Sequence, residues 1–351
     1  MVVFFGLRLV RRVATMAGDA PVVGVLVKLD GKHGAWPSPS GVGSDARFVP
    51  ASTAVDLASK LGSSSKPTAL LWIPGVAGSE AAAVLAAHPS IEWVHSFSAG
   101  VDGLAPFLDP SRAVATTNGR GAFSSSLAEY VMTGALYFNK QVPRCQRNAK
   151  EGTWEQFTMN VLAGKTMGFV GYGHIAKHAA RLARAFGMRV VACRRSPEPD
   201  DIAETIYAPD DRLGLFRDAD FVVCSLPGTS DTLNFCGAAE FAAMKPSAVF
   251  ISLGRGAAVD EDALCDALRH DRIAGAALDV FKTEPLPRDS PFWDFGPDKL
   301  LLTAHNADLT EDYFNLGWQV WQDNFLAWRR AKEASSSTVD WATPFEPARG
   351  Y

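Results

Sequence analysis

The 351-residue chain lacks the basic excess that is typical of general nucleic-acid binders, because 34 Lys and Arg stand against 38 Asp and Glu and the formal net charge is −4. It also lacks any apolar run approaching the roughly 20 residues that a helix needs to cross a bilayer. Hydrophobic residues still make up 47% of the chain, which excludes intrinsic disorder and a collagen-like protein. We therefore expect a soluble globular protein that binds neither nucleic acid nor membrane.

Cysteine is scarce, and the five cysteines form neither a CxxC pair nor a metal-type spacing. We expect no metal site, and scattered cysteines favour a reducing compartment and a cytoplasmic protein. Residues 1–18 are apolar, carry three arginines and contain no acid. This composition leaves two alternatives open: a leader that would direct the chain to a mitochondrial or other organellar matrix, or an extension upstream of a start at Met16.

The order of apolar runs predicts two α/β lobes, since about two domains fit this length. Strand-like runs alternate with candidate helices before Asn118, and a sharper βαβ unit over 165–196 is followed by four more apolar strands. Strands that alternate with helices form parallel sheets. We predict two Rossmann-like, doubly wound parallel-sheet lobes with the active site in the cleft between them. The predicted strands are 22–27, 69–73, 93–97, one at the start of the 165–196 unit, 189–193, 219–227, 247–256, 273–281 and 299–307.

Two long helices and an irregular tail complete this prediction. A helix beginning near Ser124, with serine N-caps, is expected to bridge the lobes. A second helix near the end carries an aromatic stripe, which we interpret as core packing: Phe314, Trp318, Trp321, Phe325 and Trp328. Residues 335–351 are expected to be irregular. We assign residues 19–120 with 308–351 to a substrate (catalytic) domain, and residues 121–307 to a dinucleotide-binding domain.

The segment from Gly171 to Ala176 reads GYGHIA, a GxGxxG/A turn between an apolar strand and a helix. In this context the turn places a pyrophosphate on free N–H groups at the positive end of the helix. Gly171 permits the tight turn, Gly173 lets the backbone approach the phosphates, and Ala176 lets the helix pack closely on the strand. The sequence therefore predicts dinucleotide binding.

No acid stands at the end of the following strand, where NAD-binding turns place a carboxylate for the ribose hydroxyls. Arg194, Arg195 and Ser196 occupy that place. Two guanidinium groups suit the 2′-phosphate of NADP, and the missing carboxylate removes its repulsion. We expect NADP(H) to be preferred, with NAD(H) as the open alternative because Glu198 is near.

Several motifs in order resemble the D-isomer-specific 2-hydroxyacid dehydrogenases, and most closely their glyoxylate/hydroxypyruvate reductase-like members. The resemblance runs from about Ile91 to Ala307. The chain departs from the family pattern in TAH, where Pro commonly precedes the histidine, and in Ala176 for the last glycine of the turn. The motifs are SAGVDGL (98–104), LAEYV (127–131), GYGHIA (171–176), LPGTSDT (226–232), SLGRGAAVDEDAL (252–264), ALDVFKTEPLP (277–287) and TAHNA (303–307).

The resemblance implies that Arg255, Glu284 and His305 are catalytic. Their chemistry suits the reduction of a 2-oxo acid: a planar guanidinium holds a carboxylate in two-pronged fashion, and histidine donates a proton near neutral pH. A carboxylate at the imidazole would fix its orientation and stabilise its protonated form.

The resemblance also implies which residues bind the cofactor and the substrate. Backbone N–H groups of Ala99, Gly100 and Val101 would bind the substrate carboxylate, and Trp72 with Ile73 would line its pocket. Asp279 corresponds to an acid near the nicotinamide ring. The full implied cofactor set is Gly171, Tyr172, Gly173, His174, Ile175, Arg194, Arg195, Ser196, Leu226, Pro227, Thr232, Leu253, Gly254 and Asp279.

These observations lead us to expect an NADPH-dependent reductase that converts a small 2-oxo acid, of the glyoxylate or hydroxypyruvate type, into the D-2-hydroxy acid. A homodimer is expected because the segment from Ser124 to Trp154 carries more apolar surface than one lobe boundary needs. Two alternatives stay open: an NAD-linked dehydrogenase of another D-2-hydroxy acid, and a dehydrogenase-like, nucleotide-sensing co-repressor.

Overall fold

The structure is a computed structural model that describes residues 20–28, 45–63 and 65–349. The proposed leader at residues 1–18 lies outside the described residues. In the part described, the strands form two separate sheets, and every strand pairing within them is parallel. The prediction of two parallel-sheet lobes is therefore confirmed.

The first sheet has five strands in the order β2-β1-β3-β4-β5. Its central strands are almost fully buried, as their apolar runs predict. Two strands escaped prediction, because β2 contains Pro50 and β5 reads ATTN, and neither is a continuous apolar run. The elements are β1 (Val22–Leu26), β2 (Arg47–Ala51), α1 (Ala54–Leu61), β3 (Ala69–Trp72), α2 (Gly78–Ala87), β4 (Trp93–Ser96) and β5 (Ala115–Asn118).

The bridging helix α3 (Ser124–Asn139) begins where predicted but without a serine cap. Its N-cap is Phe123, and no side chain accepts the free N–H groups there. The serines lie inside the first turn instead, and the Ser126 hydroxyl donates to the carbonyl of Ala307. That hydroxyl ties α3 to the loop that follows the last strand of the second sheet. A second helix, α4 (Val142–Glu151), follows directly.

The second sheet has seven strands in the order β12-β11-β10-β9-β6-β7-β8. The chain order reverses between β6 and β9, and a crevice forms outside the carboxyl ends of the strands at such a point. The short strand β8 escaped prediction. The elements are β6 (Thr166–Val170), α5 (His174–Ala185), β7 (Arg189–Cys193), β8 (Thr205–Tyr207), α6 (Leu213–Asp218), β9 (Phe221–Cys224), α7 (Ala238–Ala243), β10 (Val249–Ser252), α8 (Glu261–Arg269), β11 (Gly275–Leu278), β12 (Leu300–Leu302) and α9 (Tyr313–Glu333).

Helix α9 returns to the first sheet, and its aromatic stripe packs there, which confirms the core interpretation. Trp321 stacks on Trp93 of β4 with ring centroids 5.7 Å apart. The tail beyond α9 forms little regular structure, yet it packs into the same lobe: Trp341 lies 5.2 Å from Trp93, and the Thr343 amide nitrogen donates to Asn324. The last described residues therefore complete the core of the first lobe.

Among the described residues, no helix is long and apolar enough to cross a membrane, and no group of three or more His, Cys, Asp or Glu side chains is arranged to hold a metal ion.

Candidate active site

A cavity of about 360 Å³ lies between the two lobes, at the carboxyl ends of their strands. Loops after β4 and β5 form its wall on the first lobe, and loops after β6, β9, β10, β11 and β12 form its wall on the second. Thirteen of the predicted site residues line it: Ala99, Gly100, Val101, Gly173, His174, Ile175, Leu226, Pro227, Leu253, Gly254, Arg255, Asp279 and His305.

The glycine turn adopts the geometry that phosphate binding requires. Gly171 has φ +87°, which disfavours any residue with a side chain, and a Cβ there would lie 3.1 Å from Leu226. A Cβ on Gly173 would meet only open space, so the backbone at the start of α5 is accessible from the cavity. Ala176 is buried against the sheet. Burial, aided by the Arg120 charge, lowers the pKa of His174 at this turn.

The strand end after β7 lies outside the cavity lining, and Arg194 is held there by Glu198. Its Nη2 atom donates to the Glu198 carbonyl at 2.8 Å and lies 3.6 Å from the Glu198 carboxylate. Its Nε atom is buried without a hydrogen-bond partner. The Arg194 side chain as a whole is 22% exposed at this strand end.

Tyr172 turns away from the cavity and braces the loop after β7. Its hydroxyl donates to Asp200 Oδ1 at 2.9 Å, and Lys177 Nζ lies 3.1 Å from Asp200 Oδ2. Burial of Asp200 disfavours its charge, but the backbone N–H of Ile202 and these two side chains overcome burial and lower the Asp200 pKa. Tyr172 thus shapes the loop that presents Arg194, Arg195 and Ser196.

His305 and Glu284 form a hydrogen-bonded pair on the second lobe, with His305 Nδ1 2.7 Å from Glu284 Oε2. The other carboxylate oxygen, Oε1, accepts the backbone N–H of Phe281 at 2.9 Å. Glu284 is thereby fixed behind the imidazole, and Nε2 is left as the ring atom that can transfer a proton in the cavity.

Asp279 holds the loop that carries His305. Its Oδ1 atom accepts the Thr303 hydroxyl at 2.7 Å and the Asn306 N–H at 3.1 Å, and its carbonyl accepts the His305 N–H at 2.8 Å. His305 itself has φ +51°, a left-handed conformation that a residue with a side chain keeps only when its surroundings impose it. The fully buried Asp279 therefore positions the imidazole.

Arg255 reaches across the cleft to the first lobe. Its Nε atom donates to Asp102 Oδ2 at 2.7 Å, and its Nη1 atom donates to the Gly254 carbonyl at 2.9 Å. A Cβ on Gly100 would lie 1.4 Å from Arg255 Nη2. The absence of a side chain at Gly100 makes room for this guanidinium, a reason for glycine that the motif alone does not reveal.

Some predicted residues lie elsewhere. Trp72 is buried in the core of the first lobe, where its indole N–H donates to the Val76 carbonyl, and Ile73 is buried on the same sheet. Neither lines the cavity. Thr232 also lies outside the lining, and its hydroxyl closes the 227–232 loop by binding the Pro227 carbonyl.

The cavity also contains polar residues that the sequence prediction omitted: Ser98, Asp102, Asn118, Arg120, Ser225 and Asp308. Most lie within a few residues of a strand's carboxyl end. That position is itself a signal, because open α/β sheets bind ligands there. Asp102 and Asp308 stand within or next to motifs that sequence analysis already singles out.

Comparison with known proteins shows which family has this arrangement. The family described as "D-isomer specific 2-hydroxyacid dehydrogenase, NAD binding domain" matches residues 132–307, half of the chain. This chain belongs to the D-isomer-specific 2-hydroxyacid dehydrogenase family. The match makes residues 132–307 an NAD-binding domain, and dinucleotide binding is thereby confirmed.

Relatives within the family carry different names. A D-3-phosphoglycerate dehydrogenase of Methanocaldococcus jannaschii is 33% identical over 61% of this chain, and the match spans 41% of that relative's length. A glyoxylate reductase of Korarchaeum cryptofilum is 29% identical over 72% of this chain and 77% of its own length.

Solved structures of 2-hydroxyacid dehydrogenases share the fold. A family protein from Aeromonas salmonicida superposes with a TM-score of 0.75 at 26% identity, covering 94% of this chain and 100% of its own. An NADPH-dependent glyoxylate/hydroxypyruvate reductase from Sinorhizobium meliloti, in complex with NADP and malonate, superposes with a TM-score of 0.70 at 25% identity, covering 94% and 98%.

Proposed function

We propose that this chain uses NADPH to reduce a small 2-oxo acid, of the glyoxylate or hydroxypyruvate type, to the D-2-hydroxy acid. The observation that supports this proposal most directly is that Arg255 and His305 line one cavity with the glycine turn, and that His305 is hydrogen-bonded to Glu284 behind it. The names of the Korarchaeum cryptofilum glyoxylate reductase and of the Sinorhizobium meliloti reductase support this reaction.

Each residue then has a defined task. Arg255 holds the substrate carboxylate and polarises the C2 carbonyl. N–H groups of Ala99, Gly100 and Val101 assist it, and the Gly100 N–H exchanges its hydrogen bond to the Ser98 hydroxyl for one to the substrate. His305 Nε2 donates a proton to the developing alkoxide, while Glu284 stabilises the charged imidazole. A dinucleotide held at the glycine turn would supply the hydride for this reduction. Closure of the lobes excludes water from the cavity.

The preference for NADP rests on the strand end after β7. The side chain of Arg194 is 22% exposed and can bring a guanidinium to the 2′-phosphate, and Arg195 with Ser196 lies beside it in sequence. Glu198 opposes this preference, because its carboxylate lies 3.6 Å from the same guanidinium.

We also propose that the protein is a homodimer and that its domain limits are 19–120 with 308–351, and 121–307. Packing of α9 and the tail on the five-stranded sheet supports those limits. Three apolar side chains just beyond α4 are exposed: Trp154 at 95%, Val161 at 63% and Met159 at 43%. Such a surface on the segment next to α3 and α4 suits a contact with a second copy.

The deciding experiment is a panel of 2-oxo acids assayed with NADPH and with NADH, including glyoxylate, hydroxypyruvate, pyruvate and oxaloacetate. Reduction of glyoxylate or hydroxypyruvate with a higher kcat/KM for NADPH supports the proposal. Equal or better use of NADH would favour the NAD-linked alternative, and no turnover of any acid would favour the nucleotide-sensing alternative.

A further inference from the structure

Four carboxylates stand at or behind the wall of the cavity, and three of them have strong partners. Asp102 accepts from the Arg255 guanidinium, and Glu284 is hydrogen-bonded to His305. Asp279 accepts the Thr303 hydroxyl and two backbone N–H groups of the His305 loop. The hydrogen-bonding capacity of these three groups is engaged by the fold.

Asp308 is the fourth, and it differs from the others. It lines the cavity three residues after His305, with its side chain partly buried. Within the described part of the chain, only its own backbone N–H donates to its carboxylate. Burial raises the pKa of Asp308, the charges of His305 and Arg255 act in the opposite direction, and the charge of Asp279 raises it further. All four residues line the same cavity.

The roles proposed for Arg255 and His305 limit which part of a bound substrate Asp308 can contact. The proposed function assigns the substrate carboxylate to Arg255 and the C2 oxygen to His305. The substituent at C3 is the part of a 2-oxo acid that remains for a third group beside those two. A partly desolvated carboxylate with free acceptor sites favours a hydrogen-bond donor there, and it repels an anion.

We propose that Asp308 determines substrate specificity, by accepting a hydrogen bond from a hydroxyl on C3 of the 2-oxo acid and by excluding acids with a second anionic group. The proposal rests on the proposed function, and it narrows the substrate class to 3-hydroxy-2-oxo acids without a phosphate, sulfonate or second carboxylate. A 2-oxo acid without the C3 hydroxyl should bind more weakly, because its binding would leave the Asp308 carboxylate without a hydrogen-bond donor.

The experiment compares hydroxypyruvate with pyruvate, which lacks only the C3 hydroxyl, and with 3-phosphohydroxypyruvate, which replaces it by a phosphate ester. We expect wild-type kcat/KM to favour hydroxypyruvate over pyruvate about 10- to 100-fold, the range for a hydrogen bond to a charged group. Asp308→Ala should bring that ratio close to one. Asp308→Asn should raise kcat/KM for the phosphorylated acid, relative to hydroxypyruvate, by about tenfold or more.

Glu311→Gln is the matched control, because Glu311 is an exposed acid three residues further along that does not line the cavity. Both ratios should stay at their wild-type values in this variant. Ratios that are unchanged in Asp308→Ala and Asp308→Asn would overturn the proposal. A uniform loss of kcat for all three acids with constant ratios would also overturn it, since Asp308 would then act through His305.

A binding measurement separates failure of this proposal from failure of the proposed function. Dissociation constants of D-glycerate, D-lactate and 3-phospho-D-glycerate can be measured by tryptophan fluorescence with NADP⁺ present. If the wild type reduces no acid, the proposed reaction fails, but tighter binding of D-glycerate that is lost in Asp308→Ala still supports the role of Asp308. Equal affinities for all three ligands in the wild type would overturn it.

Discussion

The guanidinium of Arg255 and the carboxylate of Asp102 are joined across the cleft, with Nε 2.7 Å from Oδ2. Asp102 follows β4 of the five-stranded sheet, and Arg255 follows β10 of the seven-stranded sheet. The pair therefore links the two lobes at the cavity. It also fixes the Nε edge of the guanidinium. Because Nη1 donates to the Gly254 carbonyl, Nη2 beside Gly100 is the nitrogen best placed for a substrate carboxylate.

Replacement of Arg255 by Lys should lower kcat/KM for the 2-oxo acid by about 10- to 100-fold. An ammonium group keeps the charge but cannot bind Asp102, the Gly254 carbonyl and a substrate carboxylate in one plane, and a charged hydrogen bond contributes about 1.5–3 kcal/mol. Steady-state kinetics measure the loss. Arg272→Lys, at an exposed pair with Asp266, is the control and should be neutral. Full activity of Arg255→Lys would refute a planar, two-pronged contact.

Replacement of His305 by Ala should reduce kcat by about 10²–10⁴, the usual contribution of a positioned general acid. NADPH affinity should stay close to the wild-type value, because the imidazole acts on the substrate oxygen and not on the phosphates. Glu284→Gln should retain part of the activity, since an amide can still orient the ring. Fluorescence titration with NADPH and stopped-flow turnover check these outcomes, and near wild-type turnover of His305→Ala would exclude its role.

Replacement of Arg194 by Asp should lower the NADPH/NADH ratio of kcat/KM about 10- to 100-fold, because it removes one charged contact to the 2′-phosphate and restores an acid for the ribose hydroxyls. Glu198→Gln should change the ratio in the opposite direction, because it removes a competing carboxylate. Higher salt should weaken NADPH more than NADH. Arg217→Asp on α6 is the exposed control. An unchanged ratio in both Arg194→Asp and Glu198→Gln would contradict the assignment.

Replacement of Trp154 by Glu should dissociate the proposed homodimer. Its side chain is 95% exposed in the single chain, and a carboxylate would be unfavourable in an apolar contact. Light scattering at micromolar concentration should report a dimer for the wild type and a monomer for the variant. Trp293→Glu, at a 52% exposed tryptophan in a different segment, should leave the mass unchanged. A monomeric wild type would disprove the contact.

Acid should destabilise the protein through His95 of β4. Burial lowers the pKa of His95 to about 3, while an unfolded histidine titrates near 6.5. Between these two pKa values the unfolded state binds a proton at His95 and the folded state does not. The contribution of neutral His95 to the free energy of unfolding is therefore present above pH 6.5 and is lost as the pH falls toward 3. The loss between pH 7.5 and 4.5 should be about 2–3 kcal/mol.

His95→Phe should remove most of that pH dependence, measured by denaturant unfolding at the two pH values. The substitution removes the contact between His95 Nδ1 and the Thr117 hydroxyl, so the free energy of unfolding at pH 7.5 should fall. Its change between pH 7.5 and 4.5 should become smaller. His270→Gln, at an exposed histidine, should keep the wild-type slope. If the free energy of unfolding of His95→Phe fell as much between pH 7.5 and 4.5 as that of the wild type, other groups would be responsible for the acid sensitivity.

The fold was largely predictable because buried parallel strands consist of continuous apolar runs and glycine marks the turns between them. The turn after β6 was predictable because Gly171 has φ +87°, a conformation that glycine adopts readily and other residues rarely do. The strands without that signal were missed: β2 with its proline, the polar β5 and the three-residue β8. Their strand character comes from pairing with neighbours, which a local pattern does not contain.

The sequence by itself determined the two-lobed parallel architecture and the dinucleotide turn, because each depends on local patterns. Its resemblance to the family also singled out Arg255, Glu284 and His305 as candidate catalytic residues. Only the tertiary structure decided which side chains meet: Asp102 with Arg255, and Asp308 at the cavity wall. It also moved Trp72 into the core. Such contacts join residues up to 153 positions apart through the docking of two sheets, and local sequence does not contain that geometry.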